Sequence, residues 1–231
     1  MISVIIRSKD EDVSKLINSL PSDVEVILVD SSKSPPHYSR ENLRVIHTNV
    51  GRLEAKLIGI REARGDKVLF IDADQFPESG LIEELEKLDC DAVLIPEKSA
   101  NRNVVGRLLD LQRDYLVRYV KVKGFSPYVV AVPRCFKREK LLNVDVKDLN
   151  VVSHEDSVLY YEAFNSLKSF CISNHVIFNE DPPFFEFLKK YYKYRKSTTK
   201  PSPHDWLISK LNKNRIIFDR DVGFNGVFLL I

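Results

Sequence analysis

The stretch that decides the fold is VLFIDAD at residues 68–74, an apolar run that ends in two carboxylates one residue apart. Such a run is typical of a buried β-strand, in which residues i and i+2 point to the same side. Asp72 and Asp74 would therefore converge where the strand passes into a loop. Two hard oxygen ligands at one point suit Mg²⁺ or Mn²⁺. The same seven residues are also compatible with a strand that ends in an ordinary polar turn and binds no metal.

The regions around this stretch alternate between apolar runs and helical spacing. Strands are predicted at residues 2–6, 24–29, 43–46, 67–71 and 92–95, and helices at residues 13–20, 52–63 and 80–88. This alternation predicts βαβ crossovers and an α/β fold with an open, mostly parallel sheet flanked by helices. Such a sheet binds its ligand at the carboxyl ends of its strands. The polar segments 7–12, 30–32 and 72–74 would then lie together at that edge.

The second half of the chain has a different texture. Helices are predicted at residues 104–116, 158–167 and 182–195, and strands at residues 128–132 and 170–178. The predicted helix at 158–167 follows the acidic pair Glu155-Asp156. The sequence beyond residue 203 has no clear period, so no element is predicted there.

Composition limits the class of protein and its partners. The chain has 231 residues, 44% hydrophobic and 29% charged, which is enough for one large α/β domain or two small ones. A net charge of +2 excludes whole-molecule attraction to nucleic acid, so no nucleic-acid partner is expected. No charged leader with an apolar signal region and no apolar run of 18 residues is present, which favours a cytoplasmic protein. Cys90, Cys135 and Cys171 are odd in number and far apart, so we expect them to be unpaired.

Five motifs follow one another in a recognisable order. They occupy residues 3–11, 29–32, 51–74, 154–156, and 176–179 together with 191–195. In this order they resemble the inverting nucleotide-sugar glycosyltransferases of glycosyltransferase family 2, which have the GT-A fold. The resemblance covers residues 1 to about 197.

The resemblance implies an activity and a division of the chain. A sugar would pass, with inversion, from a nucleoside diphosphate of the UDP or GDP type to a hydroxyl of a glycan or a lipid-linked acceptor. Residues 1–97 would form the nucleotide-sugar-binding half and residues 98–200 the acceptor-binding and catalytic-base half of the same domain. Residues 201–231 would be a C-terminal extension of unknown role.

The resemblance also implies roles for individual residues. Asp156 would be the general base, which is worth roughly 10²- to 10⁴-fold in rate, and Glu155 would orient the acceptor. Asp74 would ligate Mn²⁺ or Mg²⁺ directly, and Asp72 would share the metal or hold the ribose. The remaining donor contacts would come from Ser8, Glu11, Asp30, Lys56, Ala73 and Arg195.

Three departures from the family pattern stand out. Lys56-Leu57 replaces the Arg-Asn pair that is common in the helix before the two aspartates. Asn179 stands where a metal-ligating His is often found, so Asn179, His175 or water remains open as the third ligand. The last 30 residues match nothing in the common core of the family.

The segment 184–200 interleaves aromatic residues with lysines and arginine. One interpretation is peripheral contact with an anionic or isoprenoid lipid surface, which would suit a lipid-linked acceptor. The other is core packing with a solvated lysine face. The sequence says nothing about oligomeric state.

Other functions also remain open. A haloacid-dehalogenase-type phosphohydrolase would use Asp72 as its nucleophile, although that family places the motif on its first strand and follows it with Thr or Ser, where this chain has Gln75. A sugar nucleotidyltransferase would need a Gly-rich phosphate loop, which is not found after the first strand. A non-catalytic nucleotide-sugar-binding protein would explain the departures at Leu57 and Asn179.

Overall fold

The computed structural model describes residues 1–34, 37–101, 103–129, 131–146, 149, 151, 154–197, 203–213 and 218–224. The strands are β1 (Ile2–Ser8), β2 (Glu25–Asp30), β3 (Leu43–His47), β4 (Lys67–Asp72), β5 (Gln75–Pro77), β6 (Ala92–Leu94), β7 (Glu97–Ser99), β8 (Cys135–Lys137), β9 (Phe170–Ile172), β10 (Ile177–Asn179), β11 (Phe218–Asp219) and β12 (Gly223–Phe224). The helices are α1 (Ser14–Ser19), α2 (Arg52–Glu62), α3 (Leu81–Lys87), α4 (Val104–Lys123), α5 (Glu139–Leu142), α6 (Glu155–Ala163), α7 (Phe184–Ser197) and α8 (Asp205–Lys213), with a 3₁₀ turn at Phe164–Ser166.

The main sheet has seven strands in the order β3-β2-β1-β4-β8-β6-β9. Strands β1 to β4 pair in parallel, as do β6 and β9, whereas β8 runs antiparallel to both of its neighbours. The prediction of an open, mostly parallel α/β sheet is therefore confirmed. The predicted strand at 128–132 is wrong: its described residues form a turn and an irregular segment, and the strand begins after Pro133, at β8.

Apolar side chains cover both faces of the main sheet. Because neighbours on a strand face opposite ways, Ile5 packs in one layer and Val4 and Ile6 in the other. The layer around Ile5 contains residues of α2, α6 and α8, and the layer around Val4 contains residues of α1 and α3. The sheet is thus held between two helical layers, and its carboxyl edge is left for the polar residues.

A second, three-stranded sheet of order β5-β10-β7 lies beside the aspartate motif. The single strand predicted at 170–178 is wrong, because β9 belongs to the main sheet and β10 to this one. The chain turns between them at Ser173 and Asn174. The Ser173 hydroxyl and the Asn174 main-chain N–H both donate to the carboxylate of Glu84 in α3. The small sheet pairs Gln75 of β5 with Asn179 of β10.

The cysteine prediction is also wrong. Cys90 and Cys171 form a disulfide across 81 residues, with their Cα atoms 6.0 Å apart, within the usual range for such a bond. The parallel pairing of β6 and β9 brings the two residues together, and their distance in the sequence gives no sign of it. Cys135 is a free, buried thiol, and burial raises its pKa to about 12.

The described part of the C-terminal extension is ordered, which the sequence pattern did not predict. Leu207 and Leu211 of α8 are fully buried in the same core layer as α2 and α6. Strands β11 and β12 form a short antiparallel hairpin. Within the described residues, none of the helices combines the length and the apolar character that crossing a bilayer requires.

Candidate functional site

The carboxyl ends of three parallel strands meet at one edge of the main sheet. Ser8 of β1 is in register with Asp30 of β2, and Arg7 of β1 is in register with Asp72 of β4. The structure thus brings together the ends of the three segments that the sequence pattern assigned to a common edge. The candidate site is built on these ends.

Lys56 joins this edge to helix α6. Its side chain is only 4% exposed, and its ammonium group forms an ion pair with Asp156 in the first turn of α6. The same nitrogen lies 5.2 Å from the centre of the Phe70 ring. Burial is the largest single influence and lowers the pKa of Lys56, but the carboxylates of Asp156, Asp72 and Glu155 outweigh it and raise the pKa. Lys56 therefore stays charged between acids from two distant parts of the chain.

Asp72 is held as a carboxylate. Its side chain is 39% exposed, and Arg134 donates to it through Nη1 at 3.2 Å. Loss of contact with water is the largest single influence and raises the pKa of Asp72. The positive charges of Arg134 and Lys56 outweigh it and lower this pKa to about 2. Asp72 therefore carries its charge throughout the neutral range.

Asp72 also belongs to a closed ring of hydrogen bonds. Its main-chain N–H donates to Gln75 Oε1 at 3.0 Å, and Gln75 Nε2 donates to Asn179 Oδ1 at 2.7 Å. Asn179 Nδ2 donates to Glu97 Oε2 at 3.2 Å, and Glu97 Oε1 accepts from Arg134 Nε at 2.5 Å. The bond from Arg134 to Asp72 closes the ring. We call these five residues the Asp72 ring.

Sequence reasoning missed Gln75, Glu97 and Arg134. Gln75 directly follows the aspartate motif, and its amide could have been considered for that reason. Glu97 and Arg134 belong to or precede three-residue strands that were not predicted, so only the folded chain brings them together.

Asp74 and Ala73 occupy the turn between β4 and β5. The Asp74 side chain is exposed, and its main-chain oxygen accepts from Glu180 N at 2.8 Å. Ala73 packs against the core layer of α1 and α3. Asp72 and Asp74 supply the hard oxygen donors that Mg²⁺ and Mn²⁺ prefer, and such ions commonly take one or two carboxylates and complete their sphere with substrate phosphates and water. This donor set fits an ion shared with a phosphate ligand. Among the described residues, no three His, Cys, Asp or Glu side chains form a metal cluster.

Asn179 and His175, the two candidate side chains for a third metal ligand, both interact with other residues in the structure. The Asn179 oxygen accepts from Gln75 within the Asp72 ring, and its nitrogen donates to Glu97. His175 Nδ1 lies 3.3 Å from a Glu78 carboxylate oxygen, next to the first turn of α3. Both side chains therefore have structural partners of their own.

The predicted nucleotide-binding residues lie at the ends of β1 and β2. Asp30 is completely buried: Ser32 donates to both of its oxygens, and one of them lies 3.0 Å from His47 Nδ1. Because the Asp30 side chain has no solvent exposure, a base could use it as an acceptor only if the residues that cover it moved. Ser8 is also fully buried, and its hydroxyl donates to the main-chain oxygen of Glu11 at 3.2 Å.

The two acids at the start of α6 lie in different surroundings. Glu155 is 9% exposed, and burial together with the neighbouring Asp156 raises its pKa, despite Arg52 at 3.4 Å. Asp156 is 31% exposed and is paired with Lys56. Asp156 is therefore the acid of the pair that a solvent-borne ligand reaches more easily.

Arg195 lies in helix α7, but its side chain is outside the part of the chain that the structure describes. The same holds for residues 198–200 of the predicted lipid-contacting segment. The described residues of this segment include exposed Phe184, Phe185, Leu188 and Tyr192.

A cavity of about 400 Å³ opens beside the aspartate motif. Its polar lining residues are Asp72, Asp74, Gln75, Glu97, Gln112, Arg113, Arg134, Asn179 and Asp181. Its apolar lining residues are Leu94, Ile95, Pro96, Leu109, Leu116, Val117, Ala131, Val132, Pro182 and Phe187. The two motif aspartates and the whole Asp72 ring thus line one partly open cavity.

Both the sequence and the fold of this chain are similar to those of known proteins. Residues 10–99 match the family model described as Glycosyl transferase family 2. No curated protein matches the sequence. Among solved structures, S. aureus TarS is 18% identical with a TM-score of 0.60, and the alignment covers 95% of this chain but 44% of TarS. The chain therefore spans less than half the length of that protein.

Shorter TarS structures give the same picture. TarS 1–349 in complex with UDP is 18% identical with a TM-score of 0.60, and the alignment covers 100% of this chain and 75% of that one. TarS 1–349 in complex with UDP-GlcNAc is 16% identical with a TM-score of 0.59, and the alignment covers 92% and 70%. At these identities the likeness establishes the fold. The predicted fold is confirmed, since the chain has the GT-A fold, and the predicted family is the one whose model residues 10–99 match.

Proposed function

We propose that this protein is a metal-dependent inverting glycosyltransferase that moves a sugar from a nucleoside-diphosphate sugar to an acceptor hydroxyl. One observation carries the proposal: Lys56 pairs with Asp156 and interacts with Asp72, so the acid of α6 lies beside the strand end that carries the aspartate motif. Acids scattered along the sequence would not be expected to share one buried cation unless they belonged to one site. The TarS structures with UDP and UDP-GlcNAc support a nucleotide-sugar donor.

Asp74, with Asp72, would hold Mn²⁺ or Mg²⁺. The fit rests on two adjacent carboxylates, one exposed and one fixed in its charged state by Arg134. A divalent ion bound there would stabilise the negative charge that develops on the leaving diphosphate. Asn179 is not included among the proposed ligands, because its carboxamide is engaged in the Asp72 ring.

Asp156 would act as the general base. The acceptor oxygen forms a bond to the anomeric carbon while the bond from that carbon to the diphosphate oxygen breaks, and the acceptor proton passes to the Asp156 carboxylate. Single displacement of this kind inverts the anomeric configuration. Lys56 would hold Asp156 in position, and Glu155, which is more buried, would orient the start of α6.

The nucleoside would lie over the ends of β1 and β2, near Ser8, Glu11 and Asp30, with Lys56, Ala73 and Arg195 on the side of the diphosphate. The acceptor, a glycan or a lipid-linked molecule, would approach from the half formed by residues 98–200. We further propose cytoplasmic activity, with peripheral membrane contact through residues 184–200.

A thermal-shift screen tests this proposal. Unfolding midpoints would be measured with UDP, GDP, CDP and ADP, each with and without Mn²⁺. We expect UDP or GDP to raise the midpoint more in the presence of Mn²⁺, and we expect Asp74→Ala to abolish this metal-dependent part. Asp89→Ala, which removes an exposed carboxylate that pairs with Lys137, should leave it unchanged. A screen in which no nucleotide gives a metal-dependent rise would overturn the proposal.

A further inference from the structure

The cavity beside the aspartate motif has one polar end and apolar walls. Helix α4 contributes Leu109, Gln112, Arg113, Leu116 and Val117, which recur at intervals of three and four residues and so lie on one face of the helix. The other apolar walls come from β6, from the segment before β8 and from the start of α7. Small-molecule sites commonly occupy about 300–1,000 Å³ and combine apolar walls with a few convergent polar groups. This cavity has both properties.

Apart from a phosphate group that reaches Asp72 and Asp74 with a bound metal ion, the charged side chains of the cavity disfavour an anionic ligand. Both guanidinium groups among its described lining residues already have carboxylate partners. Arg113 binds both oxygens of Asp181 at 2.8 Å, and Arg134 binds Glu97 and Asp72. An anion without a metal ion of its own would have to break one of these pairs and leave a partly buried carboxylate unpaired, which is unfavourable. An uncharged ligand meets no such cost.

Helix α7 extends the apolar lining to the surface. Phe187 is buried and lines the cavity, whereas Phe184, Phe185, Leu188 and Tyr192 are exposed, with Phe185 the most exposed at 75%. At about 100° per residue, these four positions fall within an arc of roughly 100° beside Phe187. An apolar surface therefore runs from the solvent-exposed face of α7 into the cavity.

We propose that this cavity binds the acceptor, and that the acceptor is an uncharged amphiphile: a hydroxyl-bearing head group attached to an alkyl chain. The head group would lie at the polar end near Asp72 and Asp74, and the chain would follow the walls of α4 towards Phe187 and the exposed face of α7. The term acceptor rests on the proposed function. Binding of such a molecule is a property of the cavity and is measured separately.

The probe is n-octyl β-D-glucoside below its critical micelle concentration, measured by isothermal titration calorimetry. The comparison ligands are octyl phosphate, which adds charge, and glucose, which lacks the chain. We expect the octyl glucoside to bind at least about tenfold more tightly than either. Equal or tighter binding of octyl phosphate, or equal binding of glucose, would overturn the inference.

Variants locate the binding site. Leu109→Trp fills the cavity from α4, whereas Leu111→Trp makes the same change on the opposite, exposed face of the same helix. We expect the first to weaken octyl glucoside binding at least about tenfold and the second to leave it unchanged. Gln112→Trp fills the cavity at a half-buried polar position and provides a second test if Leu109→Trp does not fold by circular dichroism. Filled variants that bind like Leu111→Trp would place the probe elsewhere and reject the cavity.

The nucleotide screen on the same samples separates the two proposals. A metal-dependent nucleotide response without octyl glucoside binding overturns the amphiphilic acceptor and leaves the transferase. Octyl glucoside binding that is lost in the filled variants, without any nucleotide response, confirms the cavity as an amphiphile site and rejects its role as an acceptor site.

Discussion

The ammonium group of Lys56 forms an ion pair with the carboxylate of Asp156, although the two residues are 100 positions apart in the sequence. Lys56 comes from α2, the helix before the aspartate motif, and Asp156 comes from α6, which lies between β8 and β9 in the sequence. The pair therefore connects the proposed donor half with the proposed base. Because Lys56 is almost fully buried, its position is fixed by packing, and the position of Asp156 follows from it.

Lys56→Met should remove this connection without unfolding the protein. Asp156 is partly exposed, so water can replace part of the lost interaction, and we expect a stability loss of about 1–2 kcal/mol. Sugar-nucleotide turnover, measured as nucleoside diphosphate release, should fall at least about tenfold because the base is no longer held in place. Lys15→Met breaks a surface pair with Glu180 in which Lys15 is 66% exposed, and it should cost less than about 1 kcal/mol. If both variants have the same turnover, Lys56 has no role at the site.

Asp156→Asn should separate binding from chemistry. The amide keeps the size of the side chain but cannot take the proton, so turnover should fall by roughly 10²- to 10⁴-fold. The metal-dependent thermal shift with nucleotide should persist, since the aspartate motif is intact. Asp114→Asn, on the exposed pair with Lys98, provides the matched control. Parallel loss of binding and turnover in Asp156→Asn would indicate a structural acid.

Glu155→Gln should stabilise the protein at neutral pH. The pKa of Glu155 is raised above its ordinary value of 4.5, chiefly by burial and next by Asp156, so the folded chain is penalised for holding the charge. The stability that comes from the protonated form is present below pH 4.5 and is lost as the pH rises through the folded pKa. Denaturant titrations should therefore show a more stable variant at pH 7 and a much smaller difference at pH 4. Glu83→Gln, at an exposed position of α3, should show neither effect, and a destabilised Glu155→Gln at pH 7 would contradict the assignment.

Gln75→Met should open the Asp72 ring. The side chain of Gln75 is buried and makes two of the five bonds, so the change leaves the Asn179 oxygen and the Asp72 N–H without these partners. Unpaired buried polar groups cost about 1–3 kcal/mol each, so we expect a loss of at least about 2 kcal/mol in the free energy of unfolding. The metal-dependent nucleotide shift should weaken as well, because the aspartate turn loses its support.

Gln112→Met is the control for this prediction, because Gln112 is half-buried and lies outside the ring. It should change the free energy of unfolding by less than about 0.5 kcal/mol. A loss in Gln75→Met no greater than in Gln112→Met would mean that the ring contributes nothing to stability.

The first half of the chain, residues 1–97, could be predicted from the sequence because its main strands are continuous apolar runs. The runs that form β1, β2 and β4 have few polar residues, and the helices between them keep a 3.6-residue period. The meeting of Asp30 and Asp72 at one edge follows directly from parallel pairing. Local pattern and tertiary structure agree in this region.

The second half could not be predicted equally well, because its strands have only three residues. Strands β5, β7 and β8 are too short for a period and are defined by their partners, so Glu97 and Arg134 could not be assigned to the site. The division of 170–178 into two strands had a local signal in Ser173-Asn174, since both residue types favour turns. The disulfide between Cys90 and Cys171 had none.

Strand β8 is the one antiparallel strand of the main sheet. Its direction decides which of its two ends lies at the edge that carries Asp72. A parallel strand would present its last residue there, but β8 presents the residue before its first, Arg134. Main-chain bonds from Phe70 N to Arg134 O and from Arg134 N to Val93 O anchor that residue between two neighbours, at 2.9 and 3.1 Å. The connection leading into β8 could thus change length without shifting the guanidinium group, so the proposed acceptor side could vary around a fixed positive charge.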